Sequence, residues 1–141
     1  MRSEETRSLV IRYVDEVLNG GNLDLLGEIC SPDYKRYLSP TSDPLTLKEQ
    51  QGRLAAIRAA FSEFELSLEE IVCEGDVAAF RADVRGTQTG PLLGLPATGK
   101  SFSVSALDMV RVREGQFVEH WGGPDLFALA QQLGARLVPS S

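Results

Sequence analysis

Cysteine and histidine are scarce in this chain of 141 residues. It has two cysteines, Cys30 and Cys73, and a single histidine, His120. There is no CxxC pair and no His/Cys cluster, so the usual ligand sets of a structural zinc site are excluded. A chain of this length builds a core without disulfides. We therefore expect two free, buried thiols, a cytoplasmic location and no metal or cofactor.

Positive charge is also in short supply, because 14 lysine and arginine residues face 20 aspartate and glutamate residues. The formal net charge of −6 disfavours nucleic acids and anionic membrane surfaces as partners, since both are normally bound by a basic face. No apolar run approaches the roughly 20 residues of a membrane-spanning helix. The N-terminal residues lack the apolar core of a signal peptide.

The first half of the chain predicts helices. Apolar residues recur at helical spacing over 4–19, and Asn22 is a candidate N-cap for a second, short helix. Residues 31–45 are rich in proline, serine and threonine and predict a loop. Thr46 and Glu49 form a capping box that begins a third helix. The apolar residues of its buried face are Leu54, Ile57 and Phe61.

After residue 62 the hydrophobic period changes from 3.6 to 2, which predicts strands. The predicted strands cover residues 64–73, 76–86, 101–113 and 116–122. Between the two hairpins, the apolar loop 87–100 is expected to fold over the protein, with Leu92, Leu93 and Leu95 capping the mouth of a cavity. Pro124 and Asp125 begin a last helix that ends at Gly134.

Helices followed by an antiparallel sheet indicate an α+β fold, predicted as one domain over 1–141 with a core from about 5 to 134 and a frayed tail. The sheet has apolar residues on both faces, so both faces must be covered. The helices can cover one face. A second subunit can cover the other, and we expect a homodimer or homotetramer.

Several polar residues have side chains suited to acid–base chemistry. Asp108 shares one strand face with Ala106 and Val110, and a carboxylate in an apolar cavity is a stronger base than one in water. The alternative to an acid–base role is that Asp108 is a charge at a sheet edge or part of an ion pair at an interface. His120 can act as base, acid or donor, or can simply be packed in the core. Arg36 can neutralise an anionic ligand or lie on the surface.

Three segments carry a resemblance to a known family: VLNGGNLDLLGEICSPDY, GTQTGPLLGLPATGK and DMVRVREGQFVEHWGGPD. Together they resemble the SnoaL-like polyketide cyclases of the nuclear-transport-factor-two-like superfamily. The resemblance implies helices on a curved, mostly antiparallel sheet that forms a cone-shaped barrel around an apolar cavity. It also implies intramolecular aldol cyclisation of polycyclic aromatic polyketides, without metal or cofactor, in antibiotic biosynthesis.

The resemblance carries over only partly at the level of single residues. The acid/base aspartate that follows the last strand in the cyclases falls on Gly122, and their pocket histidine falls on Asp108. Their pocket asparagine falls on Arg36, while His120 matches a histidine of the same strand. The acid/base role therefore moves to Asp108, with His120 and Arg36 stabilising the anion.

Register decides which neighbours of His120 reach a ligand. A two-residue turn at Glu114-Gly115 places residue 108 opposite residue 121. Asp108, Glu119 and Trp121 then share one face and His120 the other, unless a bulge shifts the strand. In this register Trp121 stacks on an aromatic substrate, a role whose alternative is packing in the cavity wall. The other expected substrate-binding residues are Tyr34, Tyr37, Glu119 and Leu93.

The sequence thus predicts a cofactor-independent lyase or isomerase acting on an apolar, polycyclic aromatic ligand. Other functions on the same fold stay open: a non-catalytic binding or dimerisation module, a cofactor-free hydroxylase, or an epoxide or ester hydrolase. A carboxylate–histidine pair in a closed cavity would argue against the non-catalytic module.

Overall fold

The computed structural model describes residues 2–92 and 94–140. Its N-terminal half contains five helical segments and one strand. The first helix, α1 (Arg2–Arg12), continues as a π-helix over Tyr13–Asn19, and a 3₁₀ turn (Leu23–Leu25) leads into α2 (Leu26–Ile29). The strand β1 (Cys30–Tyr37) precedes α3 (Leu47–Ala60).

The second half contains four long strands and a short helix. These are β2 (Phe61–Glu74), β3 (Val77–Gln88), β4 (Ser101–Arg113), β5 (Gln116–Pro124) and α4 (Leu126–Gln132). The sheet order is β1-β5-β4-β3-β2. All pairs are antiparallel except β1 with β5, so the predicted α+β class with a mostly antiparallel sheet is confirmed.

The predicted helix boundaries depend on capping residues, and two of three are confirmed. Thr46 accepts a hydrogen bond from the Glu49 amide, and the Glu49 side chain accepts one from the Thr46 amide, which completes the capping box. Asp125 caps α4 by accepting from the Ala128 amide. The prediction for Asn22 is wrong, because its side chain caps nothing and the chain enters a 3₁₀ turn instead.

The prediction of a loop over 31–45 is also wrong at its start, where the chain forms β1. Pro32 lies in this strand, and the register is irregular between Cys30 and Lys35. The regular parallel pairs are Lys35 with Glu119, Arg36 with His120 and Tyr37 with Trp121. Proline is tolerated because β1 is an edge strand, where not every amide needs a partner.

The core lies between the helices and the inner face of the sheet. Along β4, residues alternate between buried and exposed, and the buried set includes Phe102, Val104, Ala106 and Val110. Cys30 is buried and Cys73 only half-buried, and both thiols are free. Among the helices that the structure describes, none is both long and apolar enough to cross a membrane.

Candidate active site

A cavity of about 660 Å³ lies between the helices and the inner face of the sheet. Its walls are mainly apolar, with aromatic rings from four elements: Tyr13, Phe61, Phe64, Phe80 and Phe102. The polar side chains on its lining are Arg36, Gln50, Arg53, Arg58, Asp108 and His120. The volume suits a ligand of several fused rings.

Asp108 reaches the cavity from the middle of β4. It lies on the same strand face as Val104 and Ala106, which also line the cavity, so the predicted orientation of Asp108 is confirmed. Its side chain is 11% exposed. Asp108 therefore lies at the cavity and not at an exposed sheet edge.

His120 connects Asp108 to the protein interior. Its Nε2 lies 2.6 Å from Oδ2 of Asp108, and its Nδ1 lies 2.9 Å from the hydroxyl of Tyr34. The imidazole is 1% exposed and is surrounded by the rings of Tyr13, Tyr34 and Phe117. The three polar groups form one hydrogen-bonded chain, Tyr34–His120–Asp108.

The protonation states in this chain follow from burial. Burial lowers the pKa of His120, although its hydrogen bond to Asp108 acts in the opposite direction. Burial raises the pKa of Tyr34. The phenol therefore keeps its proton and donates to Nδ1 of a neutral imidazole. Nε2 then carries the ring proton and donates it to Asp108.

Arg36 lies beside this pair on β1 and is 2% exposed. Its Nη2 donates to the carbonyl of Gly122 at 2.6 Å, and its Nη1 donates to the carbonyl of Tyr37 at 3.1 Å. Nη2 also lies 3.9 Å from Oδ2 of Asp108. The Nε of Arg36 is buried and has no partner within residues 2–92 and 94–140. One donor of a fixed guanidinium is thus left without an acceptor.

The predicted register of the last hairpin is correct at the turn and wrong beyond it. Val112 pairs with Phe117 as expected, but Arg111 pairs with Glu119, which leaves Val118 as an extra, unpaired residue. This bulge shifts the rest of β5 by one residue and places Asp108 opposite Gly122. His120 therefore shares the inner face with Asp108, contrary to the expectation from an unbulged ladder.

The same bulge moves Trp121 to the outer face of the sheet. There it stacks on Tyr37, with ring centroids 5.6 Å apart and planes 9° from parallel. Glu119 is paired with Arg111 at 3.0 Å. The lining of the cavity includes none of Trp121, Tyr37 and Glu119, so the structure does not place these three predicted ligand contacts at the ligand.

The other predicted substrate-binding residues differ in position. Tyr34 does not line the cavity and reaches it only through His120. Leu92 lines the cavity and bridges to Leu95 across the 87–100 loop, as expected for a residue at its mouth. Leu93 lies outside the described residues.

Gly122 occupies the position where the resemblance places an acid. Its φ is +90°, and a Cβ built there would collide with the carbonyl oxygen of Leu107. The site therefore has no room for any side chain at residue 122. The carboxylate stands on the opposite residue of the neighbouring strand, Asp108.

Three polar residues on the cavity lining were missed in the sequence: Gln50, Arg53 and Arg58. Gln50 and Arg53 lie on α3, on the same helical stripe as Leu54 and Ile57, which also line the cavity. Residues 50, 53, 54 and 57 have helical i, i+3, i+4, i+7 spacing. Polar residues within this apolar stripe were the available signal.

Comparison with known proteins agrees with this geometry. The sequence profile of the SnoaL-like polyketide cyclases matches residues 8–133. An aklanonic acid methyl ester cyclase of Streptomyces peucetius is 32% identical over 130 residues, which are 89% of this chain and 88% of the relative. A nogalonic acid methyl ester cyclase of Streptomyces nogalater is 30% identical over 119 residues, 82% and 88% of the two chains.

Solved structures share the fold over nearly the whole chain. TsrD from Streptomyces laurentii matches with a TM-score of 0.85 at 29% identity, covering 96% of this chain and 99% of the other. Wild-type IdmH from Streptomyces antibioticus matches with a TM-score of 0.81 at 30% identity, covering 92% and 99%. The likeness therefore includes both the helices and the sheet.

Proposed function

This chain belongs to the SnoaL-like polyketide cyclase family, and on that basis we propose that it is a cofactor-independent cyclase of aromatic polyketides in antibiotic biosynthesis. Its substrate is an apolar, polycyclic aromatic molecule bound in the cavity. Asp108 is the acid/base, His120 holds and polarises it, and Arg36 stabilises the anion that forms.

The observation that carries this proposal is the hydrogen bond between Asp108 and His120 inside an apolar cavity. A module that only binds or dimerises does not need a carboxylate–histidine pair at this depth, because burying such polar groups costs stability. A carboxylate and a histidine that converge in a cavity are typical of a reaction site. The pair therefore favours an enzyme over the non-catalytic module.

The proposed step needs only these side chains. Asp108 removes a proton from a carbon next to a substrate carbonyl, and the electron pair of that C–H bond forms an enolate. The enolate carbon attacks a second carbonyl of the same molecule, and a carbon–carbon bond forms. The new alkoxide takes the proton back from the Asp108 carboxyl group. Atoms and electrons balance, so no co-reactant is consumed.

Two features of the site favour this step: a donor for the enolate oxygen and a fixed orientation of the base. The unpartnered Nε–H of Arg36 provides a fixed donor for the developing oxyanion. Oδ2 of Asp108 accepts the hydrogen bond from His120 and lies 3.9 Å from Nη2 of Arg36. The other oxygen, Oδ1, is thus left for the substrate proton. In this arrangement Asp108 keeps its orientation while it gains and loses a proton.

Replacement of the base tests the proposal. We expect Asp108→Asn to lower the turnover of an anthraquinone-type β-keto ester by about 10²–10⁴-fold, the usual contribution of a general base. Mass spectrometry of the product separates the candidate reactions, because cyclisation leaves the mass unchanged and hydroxylation adds an oxygen. Asp83→Asn, the same change outside the cavity lining, is the control. Equal rates for Asp108→Asn and the wild type would contradict the proposal.

We also infer that the outer face of the sheet is covered by a second copy of the chain, in a homodimer or homotetramer. An apolar row crosses all five strands in register: Val72, Ala79, Met109, Trp121 and Tyr37. Val72 is 63% exposed, and nearby Leu107 is 64% exposed. Large apolar side chains clustered on one face are typical of an interface. Leu107→Lys should dissociate the oligomer in sedimentation velocity, and an unchanged mass would contradict the inference.

The free thiols of Cys30 and Cys73 support the further proposal that the protein works in the cytoplasm, where thiols stay reduced. Cell fractionation tests this location directly. Recovery from an extracytoplasmic fraction would contradict it.

A further inference from the structure

The helix α3 brings two polar side chains to the cavity, one helical turn apart. Gln50 is 1% exposed and Arg53 is partly buried, and both line the cavity. Leu54 and Ile57 lie on the same stripe of the helix and line the same wall. The mechanism proposed above assigns no role to Gln50 or Arg53.

Neither group has a partner among residues 2–92 and 94–140. The buried Oε1 of Gln50 makes no hydrogen bond within the described part of the chain. Over the same residues, Arg53 forms no ion pair and donates no hydrogen bond. Arg58, also on α3, donates to the Leu18 carbonyl at 2.7 Å. A buried glutamine oxygen without a partner is rare and costly. Arg53 is only partly buried, but it adds an unpaired cation to the same cavity, and the two groups together point to a ligand.

The charges of the cavity are unbalanced as well. Three guanidinium groups, those of Arg36, Arg53 and Arg58, share the lining with one carboxylate, Asp108. Asp108 already accepts a hydrogen bond from His120 and already lies beside the charge of Arg36. The whole chain carries a net charge of −6, so the excess of positive charge is a property of the cavity alone. Burial, and after it the charge of Arg36, lowers the pKa of Arg53, as expected for a cation without a counterion.

From this arrangement we infer that the substrate carries a free carboxylate, bound by Arg53, beside a hydroxyl group that is hydrogen-bonded by Gln50. Side chains three residues apart on a helix lie about 5–6 Å apart at Cβ, so the ends of Gln50 and Arg53 can converge on substituents of the same ring. Arginine binds a carboxylate through two parallel hydrogen bonds and so fixes the orientation of the ring. This inference rests on the proposed function, because it names the substrate class of the same cavity.

Binding of a matched acid and ester tests the role of Arg53. Anthraquinone-2-carboxylate and its methyl ester share one ring system, and only the acid carries a charge. By isothermal titration calorimetry we expect the wild type to bind the acid at least about 10-fold more tightly than the ester. Arg53→Gln should lose this preference and bind the ester as the wild type does. Arg53→Lys should keep part of the preference, because the charge remains.

Lys48→Gln is the matched control. It removes the same unit of charge from an exposed position of α3 that does not line the cavity, so it should leave the preference unchanged. Equal binding of acid and ester by the wild type would overturn the inference, and so would a preference that survives in Arg53→Gln. A loss of kcat in Arg53→Gln with the anthraquinone-type β-keto ester of the turnover assay, at unchanged affinity, would instead place Arg53 at the enolate and overturn the inference in the same way.

The role of Gln50 is tested with 3-hydroxyanthraquinone-2-carboxylate. The wild type should bind this hydroxy acid about 5-fold or more tightly than the acid without the hydroxyl, and Gln50→Leu should abolish that difference. An equal difference in Gln50→Leu would contradict the role. These binding measurements can also be made on Asp108→Asn, so the inference and the proposed chemistry can fail independently of each other.

Discussion

Asp108 and Gly122 face each other across the ladder of β4 and β5. Asp108 is the only carboxylate among the described residues that line the cavity, and Gly122 has no side chain. The backbone of Gly122 has φ +90°, and its carbonyl accepts from Nη2 of Arg36 at 2.6 Å. Gly122 thus contributes to the site through its main chain. The missing side chain leaves room for the Leu107 carbonyl, and the Gly122 carbonyl fixes the guanidinium beside Asp108.

A side chain at residue 122 should therefore destabilise the fold. Gly122→Ala meets both a positive φ and the Leu107 carbonyl, and we expect it to lower the free energy of unfolding by about 2–4 kcal/mol in urea titrations. Gly115→Ala separates the two causes. Gly115 has φ +75° with open space around its Cβ position, so its substitution should cost only about 1–2 kcal/mol. Equal costs for the two variants would show that the collision has no role.

Tyr34 is expected to act through His120 and not through the ligand. Tyr34→Phe removes the donor to Nδ1, so the imidazole loses the contact that fixes its proton on Nε2. We expect kcat to fall about 10-fold while KM stays unchanged, because Tyr34 does not line the cavity.

The same variant has a spectroscopic signature. His120 is the single histidine of the chain, so ¹⁵N spectra of histidine-labelled protein report on this ring alone. The wild type should show the Nε2–H tautomer, and Tyr34→Phe should show a mixture of tautomers. An unchanged spectrum together with an unchanged kcat would remove Tyr34 from the site.

Stability should depend on pH through His120. Burial lowers the pKa of His120 in the folded protein, so the unfolded chain binds a proton at a higher pH than the folded chain. The contribution is fully present above the unfolded value of about 6.5 and is lost as the pH falls below it. The free energy of unfolding should decrease between pH 7 and pH 5.5, with a slope of at most about 1.4 kcal/mol per pH unit.

The matched variant for this measurement is His120→Gln, which cannot titrate in the same range. Its free energy of unfolding should be lower throughout but flat between pH 7 and pH 5.5. The same slope in the wild type and in His120→Gln would assign the pH dependence to other groups.

Arg36 and Asp108 should be energetically coupled. Each lies inside the protein, with the side chains 2% and 11% exposed, and removal of one leaves the other charge buried without its partner. A double-mutant cycle of Arg36→Met and Asp108→Asn should give a coupling energy of about 1–3 kcal/mol in urea unfolding. The exposed pair Arg85–Glu65 is the control and should give less than about 1 kcal/mol. Similar values for the two pairs would show that burial adds nothing to the interaction.

The sequence predicts those parts of the fold that depend on local pattern. The capping box at Thr46, the cap at Asp125 and the alternation that turns Asp108 inward are all set by neighbouring residues, and all are confirmed. β1 could not be predicted in this way. Its proline-containing segment becomes a strand only because the edge of β5 lies beside it.

The candidate site was predictable in its residue types but not in its full geometry. Asp108, Arg36 and His120 line one cavity, as their predicted roles require. The sequence predicted that Trp121 shares a face with Asp108, whereas His120 does. The prediction was wrong because the bulge at Val118 leaves no clear mark in the local pattern. Gln50 and Arg53 were overlooked although they interrupt the apolar stripe of α3. That the buried Oε1 of Gln50 has no partner among the described residues is visible only in three dimensions.

The unpaired Val118 makes the length of β5 as important as its composition. If the same residues formed an unbulged ladder, each residue beyond Phe117 would pair one position earlier, and the two faces of this part of the strand would be exchanged. Trp121 and Glu119 would then enter the cavity, and His120 would turn to the outer surface. The one residue that the ladder leaves unpaired therefore brings His120 to Asp108.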